Sequence, residues 1–137
     1  MTVRVIDGRR ALKRIMDDFL RELYNYNSII KKYGYYLKPY HIVTYKSRAG
    51  VKRYYYYGRY WYKVEYAGKK GKTSLVKWEY LGKNKPLEEL PDPPRHPLEN
   101  VVFLVEGDDV LLRDEDYLRL KKYFKGFKII VEPNRRI

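Results

Sequence analysis

The sequence predicts an α+β protein: a long N-terminal helix on an antiparallel sheet of three or four strands, then a proline-rich strap and a small β-(β)-α-β unit. Three observations support this. From Gly8 to Tyr33 the apolar residues recur mainly at spacings of three and four, the period of an amphipathic helix. Residues 41–82 are rich in Tyr, Val, Ile, Thr and Trp and are broken by glycine-bearing turns, as in an antiparallel meander. Five of the seven prolines then fall between Pro86 and Pro97, and strand-like and helix-like stretches alternate beyond them. A chain of 137 residues is about one ordinary domain and can hold a core without staples.

The elements follow in order. Val3 to Ile6 read as a short strand, with Asp7 as the N-cap of the helix. Leu12, Ile15, Met16, Phe19, Leu20, Leu23 and Ile30 form its apolar stripe, Lys31 and Lys32 sit in its last turn, and Gly34 ends it. Arg9, Arg10, Lys13 and Arg14 could be a binding stripe. Opposite charges four residues apart (Lys13–Asp17, Arg14–Asp18, Asp17–Arg21) favour a solvated, self-paired face instead. His41 to Tyr45 is a strand, Ser47 to Gly50 a turn, and Val51 to Tyr66 one long strand or two short ones, depending on Gly58. Ala67 to Ser74 is a basic loop, and Leu75 to Leu81 a strand closed by Gly82. Residues 86–97 form a stiff connector, read as the boundary between a 1–85 domain and a 98–137 unit, with a strap along a single domain as the alternative. In that unit Asn100 to Val105 is a buried strand, Gly107 to Asp109 a turn and Val110 to Leu112 a short return strand. Asp114 caps a helix to about Lys125, and Phe127 to Val131 is the last strand.

Charge and aromatic residues coincide. The chain carries 30 Lys and Arg against 17 Asp and Glu, a net charge of +13. Residues 1–85 hold 21 cations and 6 acids, whereas 86–137 hold 9 and 11. Fifteen of the 17 tyrosines and both tryptophans lie between Tyr24 and Tyr80. Cations neutralise phosphates and exposed rings stack on bases, so the combination points to nucleic-acid binding. From Lys52 to Tyr66 alternate residues take opposite faces of a strand. The even face (Tyr54, Tyr56, Tyr60, Tyr62, Val64) suits a core. The odd face, with Arg53, Tyr55, Tyr57, Arg59, Trp61 and Lys63, alternates cations and rings and is the expected binding face. Arg48, Lys52, Lys69, Lys70, Lys72 and Lys77 extend the basic field. The alternative is that the tyrosines are ordinary strand formers and the cations pack on their rings.

The segments Tyr60-Trp-Tyr-Lys-Val-Glu-Tyr66 and Lys77-Trp-Glu-Tyr-Leu-Gly-Lys83 resemble aromatic, basic sheet segments of archaeal and bacterial mobile-element and integrase-associated DNA-binding proteins. The resemblance covers about residues 58–85, implies a small sheet facing DNA, and carries over no catalytic residue. Phe103 to Asp109 resembles the Glu-bearing strand of Toprim domains, which would make Glu106 a general acid–base residue. The paired-Asp strand of that family is missing. As a turn and a helix cap, the same acids need no chemistry.

Several classes are excluded or disfavoured. Without Cys there is no disulfide, Cys-bound zinc or thiol nucleophile. His41 and His96 lie far apart and make no metal pair, and no cofactor or metal is expected. No apolar run reaches membrane-span length, and no start resembles a signal peptide, so a cytoplasmic location is expected. The absence of Cys and Gln, with many charges, fits a thermophile. The sequence therefore predicts a nucleic-acid-binding protein, DNA favoured, with a homodimer allowed. An RNA-binding or ribosome-associated protein, a protein-interaction module and a metal-dependent nuclease are the alternatives.

Overall fold

A computed structural model describes all residues, 1–137. Strand β1 (Thr2–Val5) leads into helix α1 (Arg9–Ile30), which tightens into a 3₁₀ turn at Lys31–Tyr33. Gly34, at φ 85°, ends it in the left-handed conformation glycine tolerates. Strands β2 (Tyr35–Ser47), β3 (Gly50–Lys70) and β4 (Thr73–Gly82) form two successive hairpins. After the proline segment come β5 (Val102–Glu106), β6 (Asp109–Arg113), helix α2 (Asp114–Leu120) with a 3₁₀ extension to Phe124, and β7 (Ile129–Glu132).

The α+β class is as expected, but the sheet has seven strands and every pairing is antiparallel. The order is β2-β3-β5-β6-β1-β7, with β4 also on β3. β3 has 21 residues, enough for two neighbours along one side: β5 at Arg53 to Tyr56 and β4 from Trp61 onward.

This topology corrects the division into 1–85 and 98–137. β1 lies between β6 and β7, so strands from both ends of the chain interlock. One core cluster runs from Val3 to Phe124. Residues 86–97 strap across that core instead of linking two units: Leu90 and Leu98 are buried, and Tyr26 Oη donates to the Pro91 carbonyl at 2.6 Å.

Helix α1 covers one face of the sheet with Ala11, Leu12, Met16, Phe19, Leu23, Tyr26 and Ile30. Asn27, a poor helix-interior residue, is buried here for a purpose. Its amide donates to the Leu37 carbonyl at 3.0 Å and accepts from the Leu37 N–H at 2.9 Å, satisfying part of the β2 edge. The expected pairs four apart on α1 do not form; Arg10–Asp7 and Arg21–Asp18, three apart, do. Asp7 gives α1 no side-chain cap, and takes positive φ instead.

His96 is a structural residue. It is buried, packs against Phe19 with ring centroids 4.4 Å apart and tilted by 40°, accepts the Leu98 N–H at Nδ1 and lies 2.8 Å from the Pro39 carbonyl through Nε2. These partners require the neutral ring with its proton on Nε2. Burial pushes its pKa down, outweighing the Pro39 hydrogen bond. An unfolded histidine then binds a proton more readily than the folded one, so this part of the stability is present above the unfolded pKa and lost as pH falls through the folded value. Unfolding midpoints should therefore drop between pH 7 and 5. His96→Phe should flatten that drop; an unchanged pH profile would show that His96 does not cause it.

Candidate nucleic-acid interface

The two faces of β3 do separate by alternation, but the expected roles are reversed. Trp61 is fully buried and Tyr57 nearly so, both within the α1 core. Tyr26 meets Trp61 edge-on at 6.2 Å, and Phe103 meets Tyr57 edge-on at 5.6 Å. Burial pushes the Tyr57 phenol well above its ordinary pKa. Tyr55 packs against the same core and lines an open groove of about 530 Å³ with Arg9, Lys13 and Tyr40. Trp61 and Tyr57 therefore cannot stack on a ligand.

The cations on that face border the core instead of excluding it, because long basic side chains can bury their stems and keep their charges wet. Arg59 lies 3.9 Å from Glu99, and Lys63 pairs with Glu65 at 3.2 Å. Arg53 is exposed near the β2–β3 turn, where Arg48 sits at the tip. Lys69, Lys70 and Lys72 are exposed around the opposite hairpin, whose turn is made by Gly71 at φ 63°, and Lys77 is exposed on β4. The two basic tips stand at opposite ends of β3, on the order of 60 Å apart at about 3.3 Å per residue. The twelve expected residues therefore do not form one patch.

A different set does. The face of β2, β3 and β4 turned away from α1 carries an unbroken chain of rings: Tyr45–Tyr54–Tyr56–His41–Tyr60–Tyr80–Tyr62–Trp78–Tyr36. Successive centroids are 5.3 to 6.4 Å apart. None of these rings belongs to the α1 core cluster. Tyr45 is 58% exposed, Tyr80 51% and Trp78 46%. Lys38 Nζ lies 4.7 Å from the Tyr62 ring centre and 4.9 Å from that of Trp78, and Lys83 lies over Tyr60 at 5.9 Å. Burial, then neighbouring Tyr80, raises the Tyr60 pKa, so that phenol stays neutral at pH 7.

The array depends on one irregularity. Gly58 and Arg59 on β3 stand opposite the single Pro39 on β2, which has no N–H to give the ladder. Alternation shifts in β2, not in β3. Leu37 and Tyr40 therefore both face the core, while Tyr36 and His41 both face outward.

The far end of the same outer face is charged. Arg4 on β1 holds Glu106 at 2.6 Å, Glu132 at 2.8 Å and Asp109 at 2.9 Å. Arg135 binds Glu106 at 2.7 Å, and Lys52 lies 3.8 Å from it. Burial alone would raise the Glu106 pKa, but the Arg135 and Arg4 guanidiniums reverse this and hold it below the ordinary value. Glu106 is thus committed to two arginines, not poised as a general acid. No group of three or more His, Cys, Asp or Glu residues is placed to hold a metal. No helix is long and apolar enough to cross a membrane.

Comparison with protein-family models, curated proteins and solved structures finds no match for the chain.

Proposed function

We propose that the protein binds nucleic acid through the outer face of β2, β3 and β4, and that the bound form is single-stranded. The observation that carries this is the nine-ring aromatic array on a face that no helix covers, with Lys38 and Lys83 among its rings. Unpaired bases expose π-faces that such rings can stack on, whereas the bases of a duplex are already stacked. Lys52, Lys69, Lys70 and Lys72 extend the positive charge to both ends of the array. The sequence resemblance at residues 58–85 favours DNA as the natural ligand. RNA is the second candidate, because stacking and phosphate contacts do not distinguish the two.

Fluorescence anisotropy with labelled single-stranded DNA, duplex DNA and single-stranded RNA across a salt series tests this. Single strands should bind more tightly than duplex. If about six cations contact phosphates, log K should fall against log salt with a slope of about −4 for a single strand. Replacing Lys69, Lys70 and Lys72 together by alanine should bring the slope to about −2. A slope near zero for the unaltered protein, or tighter binding to duplex, would overturn the proposal.

A further inference from the structure

We propose that two copies of this chain join edge to edge through β4, antiparallel, about a two-fold axis at Trp78. The three free edges of the sheet differ in length and in what already occupies them. β7 has only four residues. The β2 edge is occupied at Leu37 by Asn27, lacks an N–H at Pro39, and is flanked beyond that by Lys46 and Arg48 with no acid to pair them. β4 has ten residues, no proline, and pairs on one side only. Every residue from Thr73 to Leu81 is exposed, including Leu75, Val76 and Trp78. Natural sheets rarely leave such an edge uncovered.

The sequence of β4 is complementary to itself. With Trp78 opposite Trp78 of the second copy, Lys77 faces Glu79 and Glu79 faces Lys77, while Val76 faces Tyr80. Neither Lys77 nor Glu79 has an ion-pair partner within the chain. Within the chain Lys63 stands opposite Glu79, and Glu65 opposite Lys77. The junction would complete two rows of four charges, Lys63–Glu79–Lys77–Glu65, with alternating signs throughout. A shift of one residue along the strand would set Lys77 against Trp78 and send side chains to the wrong face, so the charges fix a register. On the outer face the same pairing would place the two ring arrays side by side. The second copy is the occupant these charges select, because a chance partner strand would have to reproduce the pattern that β4 already supplies for itself.

The test is sedimentation of the full chain without nucleic acid, so that failure here and failure of nucleic-acid binding are read separately. The unaltered chain should form dimers when concentrated to about 100 µM, within the millimolar-to-micromolar span of weak association. Lys77→Glu alone and Glu79→Lys alone should each weaken association roughly ten-fold or more, since like charges then face each other. An equimolar mixture of the two variants should restore dimers. One β4 strand then carries acids at both positions and the other carries cations at both, so each facing pair is again of opposite sign. The chain has no cysteine, so Trp78→Cys introduces a single thiol on the proposed axis. Diamide, accepting two electrons and two protons, should convert it to a cross-linked dimer. Circular dichroism confirms that each variant is folded. A monomeric unaltered chain at that concentration, no rescue on mixing, or no cross-link from folded Trp78→Cys would overturn the proposal.

Discussion

Trp61→Ala is expected to cost about 3–5 kcal/mol of folding stability, whereas Trp78→Ala should cost less than about 1 kcal/mol and weaken single-strand binding instead. The two tryptophans share a sheet and differ in which side they face. Trp61 is fully buried beneath α1, edge-on to Tyr26, and its removal leaves a cavity that neighbouring rings cannot fill. Trp78 is 46% exposed, set against the rings of Tyr36 and Tyr62 with Lys38 above it. Loss of one stacking ring should cost about 1–3 kcal/mol of binding, roughly 5- to 150-fold in affinity. Because Trp78 also lies at the proposed junction of two copies, Tyr45→Ala is the companion variant. It sits on β2, at the other end of the array, and should weaken binding while leaving self-association unchanged. Urea unfolding and anisotropy on all three variants decide the matter. If Trp61→Ala is as stable as the parent and Trp78→Ala unfolds, the two faces are assigned the wrong way round.

Those two positions also show what the sequence could convey. The alternation of β3 was legible, since side chains of a strand must take opposite faces. Which face is buried was not, because both carry rings and cations. Lys52 to Tyr66 looks like a core on its even side only if cations are taken to exclude burial. In fact Arg59 and Lys63 reach Glu99 and Glu65 at the margin of the α1 contact. One signal was available: α1 presents large side chains such as Phe19, Leu23 and Tyr26, which can pack beside Trp61 and Tyr57.

Helix α1, the turn at 47–50, the strand after Ser74 and the end at Gly82 were readable because each is fixed by neighbours in sequence. β1 was readable as a strand but not in its place. Its partners at Val110 to Arg113 and Ile129 to Glu132 lie more than a hundred residues away. Nothing local records that pairing. The proline segment leaves two readings open for the same reason: prolines stiffen a linker and a strap alike, and only the burial of Leu90, His96 and Leu98 tells them apart. β2 begins at Tyr35, six residues before the expected His41, and Pro39 within that added stretch lies at the bulge.

Arg4→Ala should lower stability by about 3 kcal/mol at pH 7, in the range for removing one partner from a mostly buried ionic group. The Arg4 side chain is four-fifths buried and its guanidinium touches three carboxylates, whose hydrogen bonds, that of Glu132 foremost, raise its own pKa further. Those contacts hold β1 to acids at the ends of β5, β6 and β7, the junction that ties the first residues of the chain to the last. Acid should shrink the deficit. Glu106 has a folded pKa below its unfolded value, so its contribution is present above the unfolded pKa and lost as pH falls through the lower folded one. In the variant the share of that stabilisation supplied by Arg4 is already gone, so parent and variant should converge as pH falls through the folded Glu106 value. Equal deficits at pH 7 and pH 3 would mean that Arg4 contributes through its aliphatic stem and not its charge. The same variant bears on binding. Arg4 and Arg135 neutralise an acidic cluster that borders Lys52 on the outer face, and without Arg4 that cluster would oppose a phosphate backbone approaching the Tyr54 end of the ring array. Single-strand affinity of Arg4→Ala, measured on folded protein, should therefore fall most at low salt, where the uncompensated acids act over the longest range.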